Sequence, residues 1–279
     1  MLGKEPDRPS SARLLSAIVF YMICSAGMSI FNKLAVRAFR MPVALTILQM
    51  LFTCVALMAL PALRNSLHFG SSADVWRWAR AMPPLFALML TSSVFALQNC
   101  SLGAVVVVRS ITPLPTLAIE ALCGERVRVD VSTLLALSIG VAGVLLYSSQ
   151  DMHFSPAGLC WLGVNTVAAV AERLLQRRML AVSPVDVSTT GKVLLSNGIG
   201  ALLLVPLCVA CGEPRQLGPV ISNDELGVEG WAVVLLSCVV GMAISYAGIN
   251  VQRLVSATTV LVLNNSNKFA VVAFGALCT

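Results

Sequence analysis

Apolar residues fill most of the chain in long runs, and short polar segments separate these runs. Nine runs are apparent, at 14–36, 42–63, 80–98, 103–123, 131–149, 156–176, 187–211, 230–250 and 257–278. About 20 apolar residues are enough for a helix to cross the hydrocarbon core of a bilayer. The runs are too long and too uniform for barrel strands, and hydrocarbon leaves no water to satisfy free backbone groups. The pattern therefore predicts an all-α membrane protein with nine spans.

The composition agrees with this interpretation and excludes several classes of protein. The 279 residues are 57% hydrophobic and 11% charged, whereas soluble domains carry about a quarter charged residues. The remaining loops are too short for a soluble catalytic domain, so we expect a single polytopic membrane domain over 1–279, surrounded by lipid. Neither His68 nor His153 lies in a predicted span, and no carboxylate pair or nucleophile motif stands at catalytic spacing. We expect no enzyme, no cofactor and no metal site.

The basic residues predict the orientation of the chain in the membrane. Three Lys and Arg residues lie in one set of alternate loops: Arg37, Arg40 and Arg215. Twelve lie at the amino terminus and in the loops after spans two, four, six and eight: Lys4, Arg8, Arg13, Arg64, Arg77, Arg80, Arg126, Arg128, Arg173, Arg177, Arg178 and Arg253. The positive-inside rule then places the amino terminus in the cytosol. Because these residues are spread over short loops, the net charge of +6 does not indicate a nucleic-acid partner.

Four cations fall inside predicted spans, against one clear intramembrane acid, Glu120. Each cation costs about 2.5–3.5 kcal/mol at the centre of a bilayer. Lys33 and Lys192 lie near the ends of their spans, where a long side chain can reach the interface. Lys33 is also a candidate site residue, because polar residues share its helical face. Arg109 and Lys268 lie deeper, so they need another explanation.

Two polar stripes contain these deeper cations. Span nine places Asn264, Asn267 and Lys268 on one helical face. On span four, Arg109 and Glu120 share a face but lie about 16 Å apart at 1.5 Å per residue, which is too far for an ion pair. We therefore expect a water-filled cavity lined by spans four and nine, and the alternative is a buried structural network. A cavity with cations and amides suits an anionic, hydrogen-bonding solute such as a phosphate ester.

The stripes also indicate an internal repeat. A shift of 155 residues places Arg109 on Asn264 and Thr112 on Asn267. Since five spans separate the stripes, the equivalent helices run in opposite directions, as in transporters with inverted repeats. The prediction is one five-helix repeat in 1–150 and a second in 151–279. The second repeat would lack its last helix, so that nine of ten expected spans are visible.

Several stretches resemble a known family. The segment SCVVGMAISYAGINVQRLVSATTVLVLNNSNKF at 237–269 resembles the end of Golgi nucleotide-sugar transporters, particularly the GDP-mannose and GDP-sugar group. This group belongs to the triose-phosphate and nucleotide-sugar transporter family of the drug/metabolite transporter superfamily. The stretches FNKLAV at 31–36, VVVVRSITPLPTLAIE at 105–120 and VLLSNGIGALLLVP at 193–206 support the resemblance.

The resemblance implies a fold, a mechanism and site residues. It implies inverted five-helix halves and alternating access, with a nucleotide sugar exchanged for a nucleoside monophosphate across the Golgi membrane. GDP-mannose transporters carry a Gly-Ala-Leu-Asn-Lys motif on span nine, and here the Asn267–Lys268 end is retained. They carry Phe-Tyr-Asn-Asn on span seven, where this chain has Leu195, Ser196, Asn197 and Gly198, with one amide and no aromatic residue. The candidate substrate-binding residues are Lys33, Arg109, Ser196, Asn197, Asn264, Asn267 and Lys268.

Three functions follow from these observations. The first is an exchanger that carries a nucleotide sugar, with a GDP-sugar preferred, in the Golgi membrane. The second is a sugar-phosphate or organic-anion exchanger with the same fold; triose-phosphate translocators are similar but carry a second basic residue where Phe269 stands here. The third is a membrane scaffold that does not transport. The sequence leaves open which base and sugar are carried and whether the protein forms a homodimer.

Overall fold

The computed structural model describes residues 10–122, 155–222 and 226–277, with scattered positions between 135 and 146. The described residues contain no strand, only one isolated bridge between Phe69 and Val187. The helices are α1 Ser11–Phe39, α2 Pro42–Ala59, α3 Pro61–Arg64, α4 Ser72–Ala79, α5 Met82–Asn99, α6 Leu102–Ile111, α7 Pro113–Leu122, α8 Pro156–Arg177, α9 Thr189–Ala210, α10 Pro214–Ser222, α11 Gly227–Leu254 and α12 Ala257–Leu277. A π-helical turn, Arg178–Val182, extends α8. The prediction of an all-α protein is confirmed for this part of the chain.

Within the described part of the chain, six helical segments are long and apolar enough to cross a membrane. They are Ser11–Phe39, Pro42–Ala59, Ser72–Ala96, Pro156–Val182, Thr189–Ala210 and Gly227–Leu254. They correspond to predicted spans one, two, three, six, seven and eight, and several are longer than the apolar runs predicted. The extra length comes from polar helix ends, since α1 and α11 continue through charged residues that an apolar window leaves out. Span five lies outside the described residues, and span nine coincides with the 21-residue helix α12.

Span four is divided into two helices at the prolines that interrupt it in the sequence. The helix α6 ends before Thr112 and α7 begins at Pro113. Pro113 and Pro115 have no N–H group, so two hydrogen bonds that would join the turns cannot form. The carbonyls of Arg109 and Ile111 lose these donors, and the carbonyl of Ser110 between them accepts a hydrogen bond from the Asn265 amide at 3.3 Å. This interruption places a side chain of α12 against the backbone of α6.

A few pairs of helices make most of the contacts in the bundle. The most extensive contacts join α1 to α11, α5 to α8 and α2 to α9, followed by α2 with α11 and α5 with α9. The largest apolar cluster lies where α1, α2, α9 and α11 meet, and Leu45 and Leu204 are fully buried there. Close approach at the start of α8 requires a glycine, because a Cβ at Gly158 would lie 2.2 Å from the sulfur of Cys100. Helices from distant parts of the chain therefore form one bundle.

Two buried carboxylates bind the first turns of distant helices. Glu213, which follows α9, accepts hydrogen bonds from the backbone N–H groups of Val43 at 3.1 Å and Ala44 at 2.6 Å, at the start of α2. Glu120, near the end of α7, accepts from the N–H groups of Ala257 at 2.7 Å and Thr258 at 3.1 Å, at the start of α12. The first N–H groups of a helix have no partner within it, and the helix dipole favours an anion there. Each carboxylate therefore joins the segment that carries it to the first turn of a distant helix.

Candidate functional site

A cavity of about 360 Å³ lies inside the helix bundle. Seven helices line it, namely α1, α2, α5, α8, α9, α11 and α12. Most of its wall is apolar, but a limited number of polar side chains point into it from different helices. This combination of an apolar wall and a few placed polar groups is typical of sites for small molecules.

The charged part of the cavity wall is a pair of neighbouring residues near the end of α8. The Nε atom of Arg173 lies 3.1 Å from a carboxylate oxygen of Glu172. A second guanidinium nitrogen of Arg173 donates to Gln176 Oε1 at 3.3 Å. The Arg173 side chain is 20% exposed, and the Glu172 side chain is 9% exposed. Both charges are thus held largely out of water, next to the hollow.

Hydroxyl and amide groups face the same cavity from other helices. Asn264 on α12 accepts a hydrogen bond from the Tyr21 hydroxyl on α1. On α9, Ser196 accepts from the indole N–H of Trp78 at 3.0 Å. Asn197, one residue later, donates to the carbonyl of Val193 at 2.8 Å. These bonds fix the orientation of the side chains, and each hydroxyl or amide keeps further donor or acceptor capacity for a ligand.

A polar network anchors the α2 side of the cavity. The amide of Gln49 donates to Asn32 Oδ1 on α1 at 3.3 Å and to the hydroxyl of Ser237 on α11 at 3.1 Å. Gln49 is buried and also lines the cavity. Since its amide ties three helices together, the network sets the spacing of α1, α2 and α11 at the wall.

The arrangement can bind an anion that also forms hydrogen bonds. A guanidinium presents five N–H donors in a planar fork that matches phosphate, and the hydrogen bond to Gln176 occupies one of them. In surroundings of low dielectric, such charge-assisted bonds are stronger than in water. The amides of Asn197 and Asn264 can hold neutral parts of the same ligand. The cavity thus has the groups needed to recognise an organic phosphate.

Comparison with known proteins identifies the family. Residues 12–278 match the model of the Triose-phosphate Transporter family. The chain belongs to this family. Membership confirms the resemblance inferred from the sequence, and it identifies the protein as a transporter rather than an enzyme.

Individual members of the Triose-phosphate Transporter family are similar over most of the chain. The GDP-mannose transporter GONST3 of Arabidopsis thaliana is 31% identical over 258 residues, which cover 90% of this chain and 68% of the relative. GDP-fucose transporter 1 of the same plant is 26% identical, over 94% of this chain and 77% of the relative. Solute carrier family 35 member E4 of Homo sapiens is 27% identical, over 92% of this chain and 71% of the relative.

The candidate residues of this family member fall into two groups. Ser196, Asn197 and Asn264 line the cavity together. Lys33 and Asn267 are absent from the lining: Lys33 is exposed on α1, and the amide of Asn267 donates to Ser25 Oγ at 2.7 Å. Lys268 lies on α12, and its side chain is outside the described residues.

Arg109 is placed in a separate polar cluster. Its guanidinium donates to Ser93 Oγ at 2.5 Å and to Asn165 Oδ1 at 3.4 Å, between α5, α6 and α8. The amide of Asn165 in turn donates to the carbonyl of Met89 at 2.6 Å. The described cavity lies elsewhere, and neither α6 nor α7 contributes to its wall. Arg109 therefore contacts neutral partners on α5 and α8 rather than the wall of this cavity, and the hollow expected between spans four and nine stays a prediction.

The pattern of basic residues predicts Arg173 in a cytosolic loop, and this prediction is wrong. The helix α8 continues to Arg177, so Arg173 is still within the bundle. Glu172 is a third buried acid beside Glu120 and Glu213, and the apolar pattern of the sequence does not predict its burial. A signal was available, since an acidic and a basic residue stand side by side where an apolar run ends. That pattern also fits a helix end in water, so it does not distinguish the two placements.

Two further expectations about charged residues change. Lys192 does not extend to an interface as a free charge: it is 7% exposed, and its ammonium lies 5.6 Å from the ring centroid of Trp78. An ammonium at this distance from an indole face makes a cation–π contact. Glu120 serves to cap α12 and is not an unpaired intramembrane charge.

Proposed function

We propose that this protein carries a nucleotide sugar, with a GDP-sugar preferred, across the Golgi membrane in exchange for a nucleoside monophosphate. Two relatives that match over most of the chain are named as transporters of GDP-fucose and GDP-mannose. The cavity inside the bundle supports transport rather than a scaffold function, because a scaffold has no need for a buried cation beside a hollow. The ligands are small anions, and the proposal requires no resident cofactor.

The observation that carries the proposal is the position of Arg173. Arg173 lines a cavity to which seven helices contribute, some from 1–150 and some from 151–279. A phosphate bound to the Arg173 guanidinium would therefore lie close to residues of both halves. Lys268 belongs to the proposed site as well. It lies four residues after Asn264, so both share one face of α12, and Asn264 lines the cavity.

The packing pattern supports the inverted repeat of 1–150 and 151–279. If each span is replaced by its counterpart in the other half, span one becomes span six and span eight becomes span three. The contact between α1 and α11 (spans one and eight) then becomes the contact between α8 and α5 (spans six and three), which is also extensive. The same replacement turns α2–α11 (two and eight) into α9–α5 (seven and three), and it leaves α2–α9 (two and seven) unchanged. The main contacts of the described bundle follow this rule. Alternating access then consists of one half moving against the other around a fixed site.

The orientation with the amino terminus in the cytosol is part of the proposal. It rests on the distribution of basic residues between alternate loops. The helix α1 would then run from the cytosol to the lumen. The Glu172–Arg173 pair would lie in the cytosolic half of the cavity, because α8 would end at the cytosolic face.

Counterflow into liposomes tests the function directly. The purified full chain is reconstituted into liposomes that contain GMP, UMP, inorganic phosphate or no counter-substrate, and uptake of labelled GDP-mannose is measured. We expect uptake that requires internal GMP. Preference for UMP would assign a different base, and preference for phosphate would favour the sugar-phosphate exchanger. Absence of uptake under every condition would contradict transport of GDP-mannose.

Two variants test the site. Arg173→Gln and Lys268→Ala should each abolish uptake, since each removes a cation from the proposed phosphate contact. Arg215→Gln is a matched control, because this arginine is exposed at the start of α10 and absent from the cavity lining. Full uptake by Arg173→Gln would remove Arg173 from the site.

A further inference from the structure

The carboxylate of Glu172 is incompletely satisfied. Its Oε2 atom is buried and has no hydrogen-bond partner among the described residues. The nearby Nε of Arg173, at 3.1 Å, forms an ion pair with this oxygen without the alignment of a hydrogen bond. Buried polar groups are nearly always hydrogen-bonded, and an exception needs a reason. Glu172 lines the cavity, so its carboxylate stands next to any ligand that binds there.

The chemistry of the pair restricts the ligand. An ionised carboxylate only accepts hydrogen bonds, so Glu172 attracts hydroxyl groups and repels anionic oxygens. Arg173, directly beside it, attracts anionic oxygens. A ligand that satisfies both must carry a hydroxyl close to a phosphate. The phosphate ester of a sugar has this arrangement, because a ring hydroxyl stands on the carbon next to the one that bears the phosphate.

We propose that Glu172 is a specificity residue that accepts a hydrogen bond from a sugar hydroxyl adjacent to the phosphate held by Arg173. This inference rests on the proposed function and names the part of the substrate that Glu172 recognises. A free terminal phosphate at the same position places further negative charge against the carboxylate. Glu172 therefore selects a nucleotide sugar over the corresponding nucleoside diphosphate.

A comparison of two ligands isolates this selection. GDP-mannose and GDP share the base, the ribose and both phosphates, and they differ in the sugar hydroxyls and in the charge of the terminal phosphate. Their dissociation constants are measured by titration calorimetry on the purified full chain in detergent. We expect the wild type to prefer GDP-mannose. In Glu172→Gln this preference should fall by about tenfold, the factor that corresponds to one charge-assisted hydrogen bond.

The ratio of the two constants makes the test independent of the overall affinity. A substitution that only disturbs Arg173 weakens both ligands and leaves the ratio unchanged. Glu172→Asp keeps the charge beside Arg173 but withdraws the carboxylate by one methylene group, so it should lower the preference even if Glu172→Gln fails to fold. Glu213→Gln is the matched control, because this buried carboxylate caps α2 and is absent from the cavity lining. Its ratio should equal that of the wild type.

The outcomes separate the two proposals. A ratio that is unchanged in Glu172→Asp, and in Glu172→Gln where that variant folds, overturns the assignment of Glu172 and leaves the proposed function intact. A wild type that binds GDP and GDP-mannose equally well also overturns the assignment. A wild type that binds neither ligand overturns the proposed function itself.

Discussion

Removal of the Glu120 carboxylate should loosen the contact between α7 and α12. Glu120 is 1% exposed and accepts hydrogen bonds from the N–H groups of Ala257 and Thr258 and from the Thr258 hydroxyl. Glu120→Ala leaves two backbone N–H groups at the start of α12 without an acceptor. Hydrogen bonds to a charged group contribute about 1.5–3 kcal/mol each, so two such bonds amount to about 3–6 kcal/mol. Water that enters the vacated space replaces part of these hydrogen bonds, so we expect the free energy of unfolding to fall by about 3 kcal/mol.

Thermal unfolding of the purified protein in detergent measures this loss. At about 2–4 °C per kcal/mol, the midpoint of Glu120→Ala should fall by about 6–12 °C. The midpoint of Glu120→Gln should fall by about half as much, because the amide keeps one acceptor oxygen. Glu229→Ala is the control: this exposed residue lies in the first turn of α11, where a carboxylate contributes about 0.3–1 kcal/mol. A midpoint of Glu120→Ala within about 1 °C of the wild type would refute the reasoning.

Three further predictions use the same unfolding assay. Gly158→Ala should destabilise the protein by about 1–3 kcal/mol, because the new Cβ would lie 2.2 Å from the sulfur of Cys100; an unchanged midpoint would show that α8 and α5 separate at no cost. A double-mutant cycle of Trp78→Leu and Lys192→Met should give a coupling of about 0.5–2 kcal/mol from the cation–π contact, and strictly additive effects would exclude this contact. Glu213→Ala should lower the midpoint as Glu120→Ala does, since it also leaves two N–H groups without an acceptor; a smaller loss than that of Glu229→Ala would contradict the capping role.

The long apolar helices could be predicted from the sequence, because the bilayer requires a minimum length of continuous apolar helix. Their polar ends could not, since a charged residue at the end of an apolar run fits both a loop and a continuing helix. Arg173 illustrates this ambiguity: α8 continues past it and a π-helical turn follows. Whether Arg173 reaches water depends on the neighbouring helices, and a window along one segment contains no information about them.

The candidate site was predictable where a motif placed polar groups in the middle of a span. Ser196, Asn197 and Asn264 were found in this way, and they line the cavity. Arg109 was chosen for its charge and depth, but these properties do not determine which way a helix faces. Glu172 was missed because its importance depends on a cavity that helices from distant parts of the chain form together.

The carboxylate at the start of α2 also has a consequence for synthesis. Glu213 follows its hydrogen-bond donor Val43 by 170 residues. At roughly 5–20 residues per second, a ribosome needs about 10–35 s to make this stretch. During that interval the first amides of α2 must take their acceptors from lipid headgroups, interfacial water or the insertion machinery. A nascent chain that ends before Glu213 should therefore keep these amides open to hydrogen exchange, and the completed chain should protect them.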